Sequence, residues 1–317
     1  MKVWSNKIVS VIIVTCGVGD YLISCLDSLR RQTHKALQVI LIDNSLNPQF
    51  RDGIIRQYPQ VQLYSEGVNI FFTGALNKGI SESQGDFILC LNDDVILDSR
   101  FIQEALCGFY QDSSIGMVSG KILRSDGMRI DSAGLFLTPW RTARERGYGR
   151  QDKGQYNRAG YVFGVSGAVA LYRRSMLESI KIAQEYFDAD FRMFYEDLDL
   201  AWRAQNLGWK AYYVPQAVAY HIRGATARKS QGVGKSGARR YLNDELHLDL
   251  IKNRHLSIIK NESLLGFLLH LPFILFYDLL ATGYILFFRF PLLKKPSLNS
   301  RLLKQALRKR RIIQKIK

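Results

Sequence analysis

The chain has 317 residues, 47% hydrophobic and 23% charged, which suits one large folded domain or two small ones and excludes disorder throughout. The net charge of +16 is concentrated at the C-terminus: residues 251–317 carry 14 basic against 2 acidic side chains, a net of +12. No nucleic-acid recognition module accompanies this charge. An anionic membrane surface is therefore favoured over nucleic acid as the partner.

The cysteines and the N-terminal segment both favour the cytoplasm. None of the four cysteines belongs to a C-x-x-C pair, and three lie in apolar segments typical of a protein core, which fits a reducing compartment. The opening segment, MKVWSNKIVSVIIVT, has a short β-branched apolar run and no small-residue cleavage site. We interpret it as a first strand rather than a secretion signal.

Over the first 110 residues, short β-branched runs alternate with stretches of helical periodicity. Strands are predicted at 8–15, 37–42, 61–64 and 86–91, and helices at 20–32, 73–83 and 99–110. Because this alternation implies right-handed crossovers, we predict an α/β fold with a mostly parallel, Rossmann-like sheet flanked by helices. Ligands of such sheets bind beyond the carboxyl ends of the strands, where polar residues are candidates for a site.

Polar side chains follow three of these strands. Thr15 follows the first, Asp43 the second, and Asn92-Asp93-Asp94 the fourth. Each alone is typical of a turn or a helix cap, but the three together favour a ligand site. Adjacent carboxylates repel unless a cation lies between them, which favours Mg²⁺ or Mn²⁺ with Asp94 as the first ligand. The alternative is that these acids only face water and cap the next helix.

Further along the chain, a second acidic pair and a histidine are candidates. Three more strands are predicted, at 167–174, 210–214 and 217–221. Glu196-Asp197 begins a helix, where the helix dipole keeps a carboxylate ionised and suited to act as a general base. The alternative is a simple acidic first turn, with Asp199 pairing with Arg203. His221 ends the last strand and is either a cation ligand or a hydrogen-bonded structural residue.

Seven segments of the chain, in order and spacing over roughly residues 8–226, resemble the family-2 inverting glycosyltransferases of the rhamnosyltransferase-like group. They are VSVIIVT, IDNS, GVNIFFTGALNKGI, LNDDV, GVSGAVALYRR, FYEDLDLAWRAQNLGW and YHIRGATA. The resemblance implies a GT-A fold, a nucleoside-diphosphate sugar donor of the dTDP or UDP type, a divalent cation and inversion at the anomeric carbon.

For the donor, the resemblance implies specific binding residues. Thr15 and Asp43 would hold the base and ribose, and Asn77 would lie by the nucleotide pocket. Asn92 and Asp93 would line the sugar-diphosphate site.

For the cation and the chemistry, the resemblance implies that Asp94 and His221 bind the metal. Asp197 would be the general base, and Glu196 would orient the base or the acceptor. Phe71 departs from the pattern because the family prefers glycine there, and we expect a narrowed donor pocket or a changed backbone.

Residues 264–293 are strongly apolar but interrupted by two charged residues, a histidine and a proline. We expect two short helices lying in the membrane interface; a single crossing, or a homo-oligomer interface between copies of the chain, are the alternatives. The domain prediction is a GT-A catalytic domain at 1–225, then a basic loop and a membrane-associating helical region at 226–317. The basic loop, centred on 223–240, is expected to cover the diphosphate.

The sequence thus predicts an inverting glycosyltransferase, peripheral on the inner face of the cell membrane. It would move a sugar, rhamnose by similarity, to a hydroxyl of a lipid-linked or surface-polysaccharide acceptor. Two alternatives are a catalytically inactive nucleotide-sugar or carbohydrate-binding protein on the same fold, and a nucleotidyltransferase. Retention of Asp94, Asp197 and His221 disfavours the first, and the lack of a phosphate-cradling loop after the first strand disfavours the second.

Overall fold

The computed structural model describes residues 6–17, 21–223, 244–294 and 298–316. The N-terminal half forms the parallel part of a sheet, as predicted. Its elements are β1 (Val9–Thr15), α1 (Tyr21–Arg30), β2 (Leu37–Asp43), α2 (Pro48–Gln57), β3 (Gln62–Tyr64), α3 (Phe71–Ser81) and β4 (Phe87–Asn92). Strand β1 lies between β2 and β4, all parallel, with β3 at the edge.

The following elements extend this sheet to ten strands and make it mixed. They are β5 (Val95–Leu97), α4 (Phe101–Cys107), β6 (Ile115–Arg124), β7 (Ile130–Ser132), β8 (Leu135–Leu137), β9 (Ala143–Glu145), β10 (Gly160–Val162), β11 (Val169–Arg173), α5 (Arg174–Ser179), α6 (Glu196–Asn206) and β12 (Lys210–His221). The strand order is β10-β12-β6-β11-β4-β1-β2-β3, with β5 beside β12 and β7 beside β6. Strand β11 is antiparallel to both neighbours, and β8 and β9 form a separate pair.

Two of the predicted strands prove to be one. The segments 210–214 and 217–221 form the single strand β12, whose pairing with β6 shifts register between Val214 and Val218. Pro215 lies within this shift, and because proline has no N–H to donate, the ladder bulges there instead of ending.

The core lies on both faces of the sheet because alternate strand residues point in opposite directions. On one face, Val11 and Ile13 of β1 join a cluster that includes residues of α1 and α4. On the other, Ile12 and Val14 join a cluster that includes residues of α3, α5 and α6. This two-sided burial explains why the strands are continuous apolar runs.

Three C-terminal helices complete the described chain: α7 (Asp244–Asn261), α8 (Leu264–Phe288) and α9 (Ser300–Ile316). Leu256 of α7 and Ala306 of α9 pack with Phe191, Tyr195 and Leu198 in a third apolar cluster. Asp199 and Arg203 of α6 pair at 3.2 Å, as expected for i,i+4 partners.

Helix α8 is continuous, so the prediction of two short helices was wrong. Pro272 lies inside it and removes one backbone donor, but the helix, 25 mostly apolar residues long, continues past the proline. By length and composition alone α8 could cross a membrane, and Ile274 is its one buried residue among those described. At 1.5 Å per residue it is about 38 Å long, against a hydrocarbon core of about 30 Å.

Candidate active site

The polar residues predicted at strand ends do lie at one edge of the sheet. Thr15 pairs with Asp43 across β1 and β2, and Val14 pairs with Asn92 across β1 and β4, so the three carboxyl ends are level. Thr15 Oγ1 donates a hydrogen bond of 2.7 Å to Asp93 Oδ2. Burial raises the pKa of Asp93 to about 6. Strand β2 lies on one side of β1 and β4 on the other, so the strand order changes direction at β1. Such a point is where an α/β sheet forms a crevice that binds a ligand.

Two nearby polar groups are also suited to a donor. Asp43 Oδ1 accepts from Ser45 N at 2.7 Å, which fixes the carboxylate at the start of the loop after β2. Asn92 Oδ1 is buried and has no hydrogen-bond partner within the described residues. An unsatisfied buried acceptor costs about 1–3 kcal/mol, so a ligand donor there would be stabilising. The nucleotide and diphosphate roles of these residues stay predictions.

Asp94 and His221 lie side by side in a short chain of charges. His221 Nε2 is 3.2 Å from Asp94 Oδ1, and its Nδ1 is 2.9 Å from Asp131 Oδ2. Arg223 Nε donates to the other oxygen of Asp131 at 2.5 Å. Burial alone would lower the pKa of His221, but its hydrogen bonds to both carboxyl groups raise it to about 9. Asp131 was not predicted from the sequence, since it follows no motif.

The donor set of Asp94 and His221 fits a divalent cation. Adjacent ligands of an octahedral cation with bonds of about 2.1 Å are about 3 Å apart, close to the 3.2 Å separation observed here. Asp131 on Nδ1 fixes the imidazole with Nε2 facing Asp94, as outer-shell carboxylates do for metal-binding histidines. The described part of the chain contains no group of three or more His, Cys, Asp and Glu suited to a metal. Diphosphate oxygens and water would therefore have to supply the remaining ligands.

Asp197 is held rigidly at the start of α6. Its Oδ2 accepts from Gly167 N at 3.0 Å, and its Oδ1 accepts from Leu198 N at 2.7 Å. Burial raises the pKa values of both Asp197 and Glu196, that of Glu196 to about 8, and the charge of Asp197 adds to the shift of Glu196. Since Asp197 receives two backbone donors while Glu196 Oε2 has no partner among the described residues, Asp197 is the carboxyl group that ionises first.

A third carboxyl group, Glu145 of β9, joins this pair and was missed by sequence reasoning. Its Oε1 accepts from Ser166 Oγ at 2.9 Å, and its Oε2 accepts from Ser132 Oγ. Burial, together with the charge of Asp197, raises the pKa of Glu145 to about 8, although the hydrogen bond from Ser132 lowers it. It lies in an irregular segment with no periodicity, so no local pattern could have revealed it.

One cleft of about 850 Å³ brings these groups together. Glu145, Glu196 and Asp197 line one part of it and Arg223 another, so the candidate base faces the same space as the arginine at one end of the charge chain. Asp94, Asp131 and His221 do not line this cleft. The rest of the wall comes mainly from the β8–β9 region, including Arg144, Arg146 and Arg150. A cleft with clustered carboxyl groups and a cationic wall suits a ligand that carries both hydroxyl and phosphate groups.

The turn before Glu196 is strained and is held from α7. Arg192, Phe194 and Tyr195 have φ of 58°, 69° and 69°, in the left-handed region that bulky residues rarely adopt. Asn253 Nδ2 donates to the carbonyl oxygens of Phe191, Met193 and Phe194 at 2.7–2.9 Å. Residues beyond the predicted boundary at 225 thus help to position the acidic pair.

Two further candidates have clear positions. Asn77 Oδ1 accepts from the backbone N–H groups of Tyr186 and Phe187, and its Nδ2 donates to Phe187 O. These hydrogen bonds occupy the amide of Asn77 and hold the loop that contains Tyr186 and Phe187. The place of Asn77 at the nucleotide pocket stays a prediction. Phe71 has φ of 60°, so it adopts the backbone conformation of the glycine expected there. Of the predicted basic loop at 223–240, Arg223 is described, and residues 224–240 lie outside the described residues.

Two solved structures resemble this fold over most of the chain. A mannosyltransferase from Pyrobaculum calidifontis, in complex with GDP-Man and Mn²⁺, aligns with a TM-score of 0.55 at 16% identity, covering 96% of this chain and 73% of its own. GalNAc-T7 with UDP, GalNAc and Mn²⁺ aligns with a TM-score of 0.56 at 13% identity, covering 82% and 53%. The sheet and its carboxylate-lined edge therefore define a GT-A fold, the class of fold in which these transferases bind their nucleotides.

The sequence comparisons narrow the class. Residues 10–181 match the family described as Glycosyl transferase family 2, and the chain belongs to this family. An N-acetylglucosaminyl-diphospho-decaprenol L-rhamnosyltransferase of Mycobacterium tuberculosis is 28% identical in an alignment of 244 positions that covers 68% of this chain and 76% of the relative. The chain is thus a glycosyltransferase that transfers a sugar from a nucleotide donor.

Proposed function

We propose that this glycosyltransferase moves a sugar, with inversion, from a dTDP or UDP sugar to a hydroxyl group of a lipid-linked glycan at the inner face of the cell membrane. The observation that carries the proposal is the cleft that Asp197 and Arg223 both line, since Arg223 is linked through Asp131 and His221 to Asp94. The alternative of an inactive binding protein gives no reason for a carboxylate held by two backbone donors in that cleft.

In this mechanism the acceptor oxygen attacks the anomeric carbon while the bond from that carbon to the diphosphate oxygen breaks. Asp197 takes the proton of the hydroxyl, an effect typically worth about 10²–10⁴ in rate. Glu196, neutral at pH 7 because burial and the charge of Asp197 raise its pKa to about 8, donates or accepts a hydrogen bond to orient the acceptor. Single displacement on the face opposite the leaving group inverts the configuration.

The diphosphate leaves with additional negative charge, which the site has to stabilise. Asp94 and His221 would hold a divalent cation, Mg²⁺ or Mn²⁺, whose charge offsets that of the leaving group. Thr15, Asp43 and Asn77 would bind the nucleoside, and Asn92 and Asp93 the sugar-diphosphate. Support comes from the convergence of four of these five side chains at the carboxyl ends of β1, β2 and β4.

The lipid-linked acceptor is supported by the position of α8. Loop residue Trp140 contacts Phe273 and Phe276 of α8 at ring-centroid distances of 5.9 and 5.8 Å. Arg141 pairs with Glu262 just before α8 begins. Because this loop joins β8 to β9, the wall of the cleft is attached directly to the exposed apolar helix. The name of the Mycobacterium tuberculosis relative, an N-acetylglucosaminyl-diphospho-decaprenol L-rhamnosyltransferase, agrees with such an acceptor. Rhamnose as the sugar rests on the same name, and a homo-oligomer has no support of its own.

The test is Asp197→Asn in the full chain, assayed with dTDP-rhamnose and UDP sugars against a GlcNAc-diphospho-lipid. We expect kcat to fall by about 10²–10⁴ while the affinity for the nucleotide stays unchanged. Asp86→Asn is the matched control, since this half-exposed carboxylate pairs with Lys7 far along the chain from the acidic pair. Equal turnover in Asp197→Asn and the wild type would remove Asp197 as the base.

The cation is tested by binding rather than by activity. Calorimetric titration of Mn²⁺ into the chain saturated with UDP should give a weaker Kd in Asp94→Asn than in the wild type, by about 10-fold or more. An unchanged Kd in Asp94→Asn would place the cation elsewhere.

A further inference from the structure

A second cavity, of about 320 Å³, lies between α7 and α8. Leu250 and Ile251 of α7 form one wall, and Leu280, Ala281 and Ile285 of α8 form the other. The volume falls within the range of about 300–1,000 Å³ typical of small-ligand sites. Its wall is therefore the kind of surface that binds an apolar chain.

The charged members of this groove are paired with each other. Arg254 Nη1 donates to Asp278 Oδ1 at 2.5 Å, and its other guanidinium nitrogens donate to Trp140 O. The guanidinium also lies 4.4 Å from the centre of the Tyr277 ring. Because these charges are satisfied within the wall, they do not require a polar ligand.

The groove adjoins the active-site cleft. Tyr195 and Leu250 line both cavities, and Tyr195 immediately precedes Glu196. On the cleft side of this junction the wall is cationic, with Arg144, Arg146 and Arg150. The two cavities place a charged compartment beside an apolar one, which matches a molecule with a phosphate-bearing head and a hydrocarbon tail.

The outer face of α8 indicates where such a molecule would come from. Leu265, Leu269 and Leu279 are 79%, 69% and 69% exposed, although they are strongly apolar. A helix that exposes such residues suits a lipid environment, so the groove lies beneath a surface at which lipid chains are available.

We propose that the groove between α7 and α8 binds the hydrocarbon chain of the acceptor lipid next to its phosphate groups, while its glycan lies in the cleft beside Asp197. This inference rests on the proposed lipid-linked acceptor and adds the binding site that selects it. The chain enters from the face of α8, passes Leu250 and Tyr195, and delivers the acceptor hydroxyl to the base.

The experiment uses a polyprenyl diphosphate that carries a diazirine on the isoprene units nearest the diphosphate, incubated with the full chain in nanodiscs. After photolysis, mass spectrometry should find the label on residues that line the groove, among them Leu250, Ile251, Ala281 and Ile285. Ala281→Trp fills the groove and should reduce this labelling at least tenfold. Thr282→Trp is the matched control, because the neighbouring small residue is exposed and does not line the groove. Leu280→Trp serves as a second groove variant if Ala281→Trp does not fold.

Labels confined to Leu265, Leu269 and Leu279 on the outer face of α8, no labelling at all, or equal labelling of Ala281→Trp and the wild type would each overturn the proposal. Calorimetric binding of UDP and dTDP to each variant shows that the donor side remains folded. A kinetic arm compares GlcNAc-diphosphate carrying a long or a short chain: Ala281→Trp should raise KM about tenfold for the long chain only. An equal rise for both chains would also overturn it. Labelling of the groove in a chain with no transferase activity would instead refute the proposed function and retain the lipid site.

Discussion

Asn253 of α7 has two amide hydrogens and lies 2.7–2.9 Å from three carbonyl oxygens of residues 191–194. Replacing it by alanine removes both donors from a fully buried position. At about 1 kcal/mol of net stabilisation for each hydrogen bond, the loss is about 2 kcal/mol. The left-handed conformations of Phe194 and Tyr195, each costing about 1–3 kcal/mol, would then relax.

This relaxation should move the acidic pair that follows the turn. A displacement of about 1 Å at a reacting group can cost about 10² in rate. We therefore expect Asn253→Ala to lower kcat about 100-fold for the folded protein, while the affinity for UDP or dTDP changes little. Steady-state kinetics with calorimetric nucleotide binding measures both quantities, and a thermal scan measures the loss of stability.

The control is Leu106→Ala in α4, a buried core residue in the cluster on the opposite face of the sheet. This cavity costs about 2–5 kcal/mol but leaves the turn intact, so kcat of the folded fraction should stay near the wild-type value. If Asn253→Ala lowered the melting temperature and left kcat within twofold, the idea that α7 positions the acidic pair would be refuted.

Three further outcomes are expected. Glu145→Gln should flatten the pH dependence of stability. Because the pKa of Glu145 is raised to about 8 in the folded protein, the free energy of unfolding of the wild type falls as the pH rises from about 4.5 toward 8. Calorimetric melting from pH 5 to 9 should therefore show a steeper fall of the melting temperature in the wild type than in the variant. Lys309→Met should lower the free energy of unfolding by about 2 kcal/mol, because it removes a cation that donates hydrogen bonds to Asp188 and Asp190. Urea denaturation measures this loss, and Lys304→Met, at an exposed position on α9, should show no comparable loss. Leu269→Glu on the exposed face of α8 should weaken flotation with anionic vesicles, and binding equal to the wild type would mean that this face does not contact lipid.

Much of the N-terminal half follows from local sequence. A buried parallel strand must be apolar on both faces, so its β-branched run is visible, and the chain reversal after it requires polar or small residues. The predictions of β1 to β4 and of polar side chains at their ends were confirmed for this reason. The continuity of β12 and α8 was harder to predict, because in each case a proline suggests a break that the surrounding hydrogen bonds override.

The acidic groups of the candidate site divide in the same way. Asp94 follows a strand and Asp197 lies at the start of a helix, and a periodic sequence pattern indicates both positions. Glu145 and Asp131 lie in short strands within an irregular region, and what makes them important is contact with partners from distant parts of the chain. The pKa of Glu145 depends on burial by those distant residues, which no local window contains.

By itself, the sequence determined the alternating α/β order, the polar strand ends, the acidic helix start and the apolar, basic C-terminal region, since each depends on side chains close together along the chain. Only the tertiary structure decided that α7 supports the strained turn before Glu196, that Asp131 bridges His221 and Arg223, and that a groove beneath α8 adjoins the cleft. These features arise where segments from opposite ends of the chain pack together, and their geometry is fixed by the folded core rather than by any local pattern.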